Sequence, residues 1–255
     1  MQIRATSAVV SGGASGLGEA VVRALLASGA HVVIADVQRE RGEALAQELG
    51  NLASFVACDV TQEEQVQAAL TQAVARAPLR AVISCAGIAI AKRTLDKAGA
   101  AHELAAFQRV FAINVVGTFN LSRLGAATMV AHTPIEDGQR GVIVNTASIA
   151  AFDGQTGQVA YAASKGAIVA MTLPLARDLA QHAIRVCTIC PGTMDTPLLA
   201  ALPEAARIAL AASIPFPGRL GLPSEFAALV EHVLENDYLN GESIRLDGAL
   251  RMAAR

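Results

Sequence analysis

Tryptophan is missing from this chain, tyrosine occurs only twice, and aromatics together make up 4% of its 255 residues. Proteins that grip single-stranded nucleic acid stack bases on aromatics along a basic groove. Neither feature is available: 20 Lys and Arg are scattered among 22 Asp and Glu, for a net charge of −2. No basic run is interleaved with aromatics, so no nucleic-acid partner is expected. The five histidines lie at least 30 residues apart. None has ligand-pair spacing, and no metal is expected. Runs of about 18 uncharged apolar residues, the length of a membrane span, are also lacking, so no membrane association is expected. The opening "MQIRATSAVVSGG" passes directly into strand-like sequence and reads as neither a signal nor a transit peptide. A cytoplasmic location follows as the expectation, with a mitochondrial matrix left open.

Cysteine is scarce too, with four in the chain. Cys187 and Cys190 in "CTIC" have the spacing of a redox motif. The surrounding "IRVCTIC" reads as a buried strand, in which positions three apart face opposite ways. Their thiols then cannot pair, and all four cysteines read as small core hydrophobes in a reducing compartment.

What is abundant is aliphatic: hydrophobic residues make up 53% of the chain. Seven β-branched runs recur, "TSAVVSG", "AHVVIAD", "ASFVACD", "RAVISCAG", "GVIVNTAS", "IRVCTICPG" and "SIRLDG". Between them lie stretches such as "GEAVVRALLASG", whose apolar positions fall three and four apart. Strands apolar on both faces, alternating with helices, predict a parallel sheet covered on both sides. The fold class is therefore α/β: a doubly wound, Rossmann-like, seven-stranded parallel sheet in a single domain spanning residues 1–255. Residues 89–103, 132–140 and 193–223 read as its loosest segments. In such sheets ligands bind beyond the carboxyl ends of the strands.

"SGGASGLGEAVVRALLASG" follows the first strand and opens the first helix, with Gly12, Gly16 and Gly18 spaced G-x-x-x-G-x-G. A pyrophosphate site needs a tight turn, close backbone approach and close helix–strand packing, which this spacing provides. Helix N-terminal amides then face the phosphates. Asp36 ends the second strand 18 residues past Gly18. A carboxylate there accepts bonds from the adenosine ribose and repels a 2′-phosphate, which favours NAD over NADP. Arg39 and Arg41 read as surface charges at a helix start.

"VIVNTASIAAFDGQTGQVAYAASKGAIVAM" places Ser148 at the end of the fifth strand and Tyr161 thirteen residues on, inside a helix. Tyr161 and Lys165 stand at i and i+4 and share one helical face. Oxidation of an alcohol needs a base for its hydroxyl proton. A free phenol titrates near 10; an adjacent ammonium and a cationic nicotinamide favour phenolate and lower that value. Ser148 can hold the substrate oxygen. Asn114, in "FAINVVGTFN", can lie at a helix bend and order a water that leads the proton outward from Lys165.

These residues resemble the short-chain dehydrogenase/reductase family over essentially the whole chain. The matching pieces are the glycine triplet, Asp59, "CAG" at 85–87, Asn114, Ser148, Tyr161-x-x-x-Lys165 and "PG" at 191–192. The resemblance implies a tetrad in which Tyr161 is the acid–base, Lys165 lowers its pKa and binds ribose, Ser148 orients substrate and Asn114 completes the set. It implies cofactor contacts from Ser11, Gly12, Ser15, Gly16, Leu17 and Gly18, and from Asp36, Asp59 and Val60. Further contacts are implied from Cys85, Ala86, Gly87, Tyr161, Lys165, Pro191, Gly192, Thr193 and Thr196. Ser11 stands where the family usually has Thr, and Ser84 where it commonly has an Asn that braces the sheet. "RGVIVNTASIAAFDGQTGQVAYAASKGAIVAMTLPLARDLA", "PFPGRLG" and "LNGESIRLDGALRM" are similar to the family branch that oxidises hydroxyacyl-CoA thioesters and hydroxysteroids. That branch implies NAD, a homotetramer, and Gln155 near the substrate with Ser148 and Tyr161. The apolar segment 198–216 would then be a helical lid. Dehydrogenation of another small alcohol, thioester reduction, and a dinucleotide sensor without turnover stand as alternatives.

Overall fold

The computed structural model describes residues 1–200 and 203–254. In chain order the elements are β1 (Ser7–Ser11), α1 (Gly16–Ala27), β2 (His31–Asp36), α2 (Arg39–Leu49), β3 (Ala53–Ala57), α3 (Glu63–Val74) and β4 (Leu79–Ser84). They continue with α4 (Leu104–Phe111), α5 (Gly117–Val130), β5 (Gly141–Thr146), α6 (Val159–Ala180) and β6 (Ile184–Pro191). The last are α7 (Pro197–Ala200), α8 (Glu204–Ala212), α9 (Pro223–Glu235) and β7 (Ser243–Leu246). The seven strands form one sheet in the order β3-β2-β1-β4-β5-β6-β7, with every neighbour parallel.

Adjacent apolar residues on each strand go to opposite faces, the period of two expected for a pleated sheet. Val10, Ile34, Ile83 and Val144 pack under α1 and α9, against Val21, Val22, Leu25, Phe226 and Val230. Their neighbours Val9, Val33, Val82 and Ile143 pack on the other face with α3, α5 and α6, against Val66, Leu70, Leu121 and Met129. Each such large side chain contributes about 1.5–3 kcal/mol on burial. The parity also separates the two cysteines of "CTIC": Cys187 joins the first core, and Cys190 packs with Ala147 and Ile168. All four cysteines are free.

Two helical stretches, Leu104–Val130 and Val159–Ala180, are long and apolar enough by composition to cross a membrane, although each carries charged residues such as Arg109, Arg123, Lys165 and Arg177. Here α5 lies over β4 and β5 and α6 over β6. Residues 89–103, read as loose, form a small hairpin: Leu95 bridges Ala101 in antiparallel fashion, and His102 N–H donates to the Thr94 carbonyl at 2.9 Å. The segment expected to be a lid contains α7 and α8, with 201–202 outside the described residues.

Candidate active site

The strand order reverses between β1 and β4, and the crevice at their carboxyl ends is the topological switch point where such sheets bind ligands. The glycine turn lies there, and its tightness is measurable. A Cβ on Gly18 would sit 2.1 Å from the Gly12 carbonyl oxygen, and one on Gly12 would sit 2.7 Å from the Ala86 nitrogen. Gly12 also has φ +63°, a region that L side chains rarely adopt. Ser15 occupies the N-cap of α1 without a side-chain bond to the helix. The first-turn amides therefore lack the usual capping oxygen and are available to an anion. Ser11 braces the turn from below, its Oγ accepting from Ala86 N at 3.3 Å.

Asp36 is buried at the end of β2. One carboxylate oxygen accepts from Ala14 N and the other from Gln38 N, each at 3.0 Å. The carboxylate thus ties the glycine loop to the second strand, and each oxygen keeps acceptor capacity for a hydroxyl. Arg39 pairs with Glu43 at 3.0 Å and Arg41 with Glu19 at 3.5 Å, so neither guanidinium is held for a 2′-phosphate. The residues present fit a dinucleotide with free ribose hydroxyls.

Asp59 turns its carboxylate on Thr61, taking the N–H at 2.9 Å and the hydroxyl at 2.8 Å. Val60 is buried, and its carbonyl accepts from Asn120 at 2.9 Å. Thr196 packs on the glycine loop, its Cβ 3.5 Å from where a Gly16 Cβ would stand. Gly192 runs so close to Asp247 that a Cβ would approach that side chain to 2.8 Å. The Pro191–Thr196 stretch is thereby fastened between β7 and the phosphate turn.

Ser148 lies two residues beyond β5, where its Oγ caps a 3-10 turn by accepting from Ala150 N at 3.1 Å. Tyr161, half-buried in the first turn of α6, has the Ser148 hydroxyl as a neighbour that favours its ionised form. Lys165 is buried, with Nζ 5.8 Å from the Tyr161 ring centroid, and donates to the Thr146 carbonyl at 2.8 Å. Ser148, Tyr161 and Lys165, from two elements, therefore converge beside the β4 and β5 ends. Asn114 is fully buried in a π-helical turn, 112–116, between α4 and α5. Its side chain bonds both Ile88 N (2.8 Å) and Ile88 O (2.9 Å), and donates to Ser164 Oγ at 3.0 Å. The bend expected at Asn114 is present, but both amide N–H groups are occupied. Gly87 separates it from the lysine: a Cβ there would be 3.2 Å from Asn114 Oδ1 and 3.6 Å from Lys165 Nζ.

The electrostatics differ from the sequence expectation in one respect. Burial raises the Tyr161 phenol above its ordinary value, and the neighbouring Ser148 hydroxyl lowers it only in part. Lys165 Nζ lies 5.8 Å from the ring centroid, and in the free protein burial prevails. The lysine is itself pushed down to about 8, chiefly by burial. The free protein thus holds a protonated phenol. Nearby thiols are inert, burial raising Cys85 and Cys190 each to about 11.

Sequence reasoning missed the second layer. The Thr146 carbonyl that fixes Lys165 and the Ser164 hydroxyl that fixes Asn114 carry no signal of their own, although Ser164 sits inside "YAASK". Ser84, flagged as a departure, stands opposite Asn145 in the sheet. The Ser84 hydroxyl and the Asn145 amide nitrogen are both buried without a partner. Gln155 donates to the Ala253 carbonyl at 2.9 Å and lines a cavity of about 370 Å³ that reaches Ala162, next to Tyr161.

A doubly wound sheet with an open glycine cradle and a Ser–Tyr–Lys cluster beside it defines a dinucleotide-binding protein of the α/β class. The short chain dehydrogenase family profile matches residues 6–207, and the chain belongs to that family. It is 56% identical to the 3-hydroxyacyl-CoA dehydrogenase type-2 of Drosophila melanogaster, over 98% of this chain and 99% of that protein. The Homo sapiens protein of the same name is 52% identical over 98% of this chain and 97% of its own length. The crystal structure of 3-hydroxyacyl-CoA dehydrogenase type-2 from Mycobacterium avium superposes with a TM-score of 0.97 and 47% identity, covering 100% of this chain and 99% of that one. The protein is an oxidoreductase.

Proposed function

We propose that the protein interconverts a short or branched 3-hydroxyacyl-CoA and the 3-ketoacyl-CoA, using NAD. The observation that carries this reading is the convergence of Ser148, Tyr161 and Lys165 beside the glycine cradle, in a chain that matches 3-hydroxyacyl-CoA dehydrogenases over nearly its full length. The Asp36 carboxylate and the paired state of Arg39 and Arg41 favour NAD over NADP.

When bound, NAD supplies the hydride acceptor. Ser148 holds the carbinol oxygen, and Tyr161 takes the hydroxyl proton in oxidation and returns it in reduction. The protonated phenol of the free protein is the form that reduction uses. Phenolate, the form that oxidation uses, is favoured by the charge of Lys165 together with that of an oxidised nicotinamide. Lys165, anchored on Thr146, presents its remaining N–H groups to the ribose. With the Asn114 amide fully bonded, a water relay from Lys165 would run over the backbone of Asn114. Gln155 stands at the acyl side. The segment 193–223 covers the acyl portion as a lid, in keeping with an α8 that buries none of its residues. The chain acts as a homotetramer in the cytoplasm, through apolar faces of α5 and α6.

The test is NADH consumption with acetoacetyl-CoA, beside the same assay with NADPH. Rapid turnover with NADH and at least about tenfold lower kcat/KM with NADPH is expected, a ratio equivalent to roughly 1.4 kcal/mol. Turnover of a hydroxysteroid alone, or a preference for NADPH, would contradict the reading.

A further inference from the structure

Between Ser148 and α6 the chain has one short regular element, the 3-10 turn Ile149–Ala151. The rest of that segment is held from outside, by the tail that follows β7. Gln155 Nε2 donates to the Ala253 carbonyl at 2.9 Å. Thr156 gives its N–H at 3.0 Å and its hydroxyl at 2.9 Å to the Ala254 carbonyl. Ile149, the residue after Ser148, is buried against Leu250 of the tail and Ile214.

Arg245, on β7, joins the turn to the tail. Its Nη2 meets one Asp153 carboxylate oxygen at 2.6 Å and its Nη1 the other at 3.4 Å. Asp153 in turn closes the Ser148 turn, its N–H donating to the Ile149 carbonyl at 2.9 Å. The same Nη2 donates to the Leu250 carbonyl at 3.0 Å, and Nε pairs with Asp247 at 2.7 Å. The guanidinium lies 5.3 Å from the Phe152 ring centroid. Exposed ion pairs contribute little, but the Arg245, Asp153 and Asp247 side chains are only 20%, 17% and 7% exposed. A planar fork bonded on three sides fixes a geometry that a single contact would not. The hydrogen bond from Arg245 holds the Asp153 carboxyl below its ordinary range, so the pair stays charged near neutrality.

We infer that Arg245 is a positioning residue: by holding Asp153 and the Leu250 carbonyl it fixes the turn that presents the Ser148 hydroxyl beside Tyr161. This role rests on the acid–base reading of Tyr161 and names the residue that sets its geometry from behind. A displacement of about 1 Å in such a group is enough to lower turnover by as much as about a hundredfold.

The test uses 3-hydroxybutyryl-CoA and NAD. In Arg245→Met, kcat should fall at least about tenfold, while KM for the thioester and NADH affinity each change less than about threefold. The acid limb of the kcat profile should also move to higher pH, because the Ser148 hydroxyl is the neighbour that favours phenolate. Lys165 and the Cys85 and Cys190 thiols near it are unaltered in this variant. Arg245→Lys, which keeps the charge without the fork, should recover part of the loss. Asp153→Ala leaves Arg245 its bonds to Asp247 and Leu250; it should reproduce both changes, and it decides the matter if Arg245→Met does not bind NADH. A lower melting temperature with kcat and the pH limb unmoved overturns the inference and leaves the hydroxyacyl reading intact. Failure of the unaltered protein to oxidise the thioester overturns the hydroxyacyl reading and this inference with it.

Discussion

Lys165 is the residue whose environment departs furthest from its solvent behaviour. Burial depresses it to about 8 from an ordinary 10.5. The folded protein therefore carries a penalised ammonium below pH 8. Between pH 8 and 10.5 the unfolded chain binds more protons than the folded one, so stability rises with pH through that window. The full effect is on the order of 3 kcal/mol. Lys165→Met removes the titration, and in the absence of cofactor its stability relative to the unaltered protein falls as pH rises from 8 toward 10. Denaturant midpoints across that range check this, and a difference independent of pH would contradict it. At this scale Tyr161, Lys165, Ser148 and Asn114 were legible because their types and spacing are unusual together. Their partners were not: the Thr146 carbonyl is a backbone group with no side-chain signature, and which way a buried phenol's pKa moves depends on burial that no spacing encodes. Ser84 was legible as a departure, and its cost now has a location in two unpartnered polar atoms on residues paired across β4 and β5. Each buried unpartnered group costs about 1–3 kcal/mol.

The seven strands were legible from β-branched runs, and strand parity separated Cys187 from Cys190 as expected. The hairpin at 94–102 was not, because its sequence, "TLDKAGAAH", has no alternation of polar and apolar residues. A turn ordered by Asp96 and one bridging pair holds it instead. The two long apolar helical stretches carry the next expectation. Leu104, Val116 and Phe119 on Leu104–Val130, and Val159 and Leu173 on α6, leave large apolar side chains exposed, with Leu104 at 68% and Val116 at 55%. Large apolar side chains left exposed along packed helices suit an interface. These faces are the ones we assign to subunit contacts, so light scattering on the purified protein should give four times the 26.2 kDa chain mass. Phe119→Asp/Leu173→Asp should lower that mass. A monomer at micromolar concentration would contradict the assignment.

For the molecule as a whole, the sheet brings distant chain segments to one edge. Residues 12–18, 85–88, 114, 146–148 and 161–165 are far apart in sequence, yet they converge because every strand in the sheet points the same way. The cradle depends on backbone proximity that only glycine permits, whereas the Ser148, Tyr161 and Lys165 cluster depends on side chains fixed by α6 and the turn after β5. On the proposed reading, cofactor binding and proton transfer fall to different parts of the chain and can be separated. Tyr161→Phe separates them most directly. The ring still packs against Lys165, so NADH affinity, read by the fluorescence of the bound nucleotide, should stay within about threefold, well under 1 kcal/mol. Turnover of acetoacetyl-CoA should fall by roughly a thousandfold or more, the scale of a lost general acid. A variant that binds NADH and still turns over at near the original rate would contradict the assignment of the proton to Tyr161.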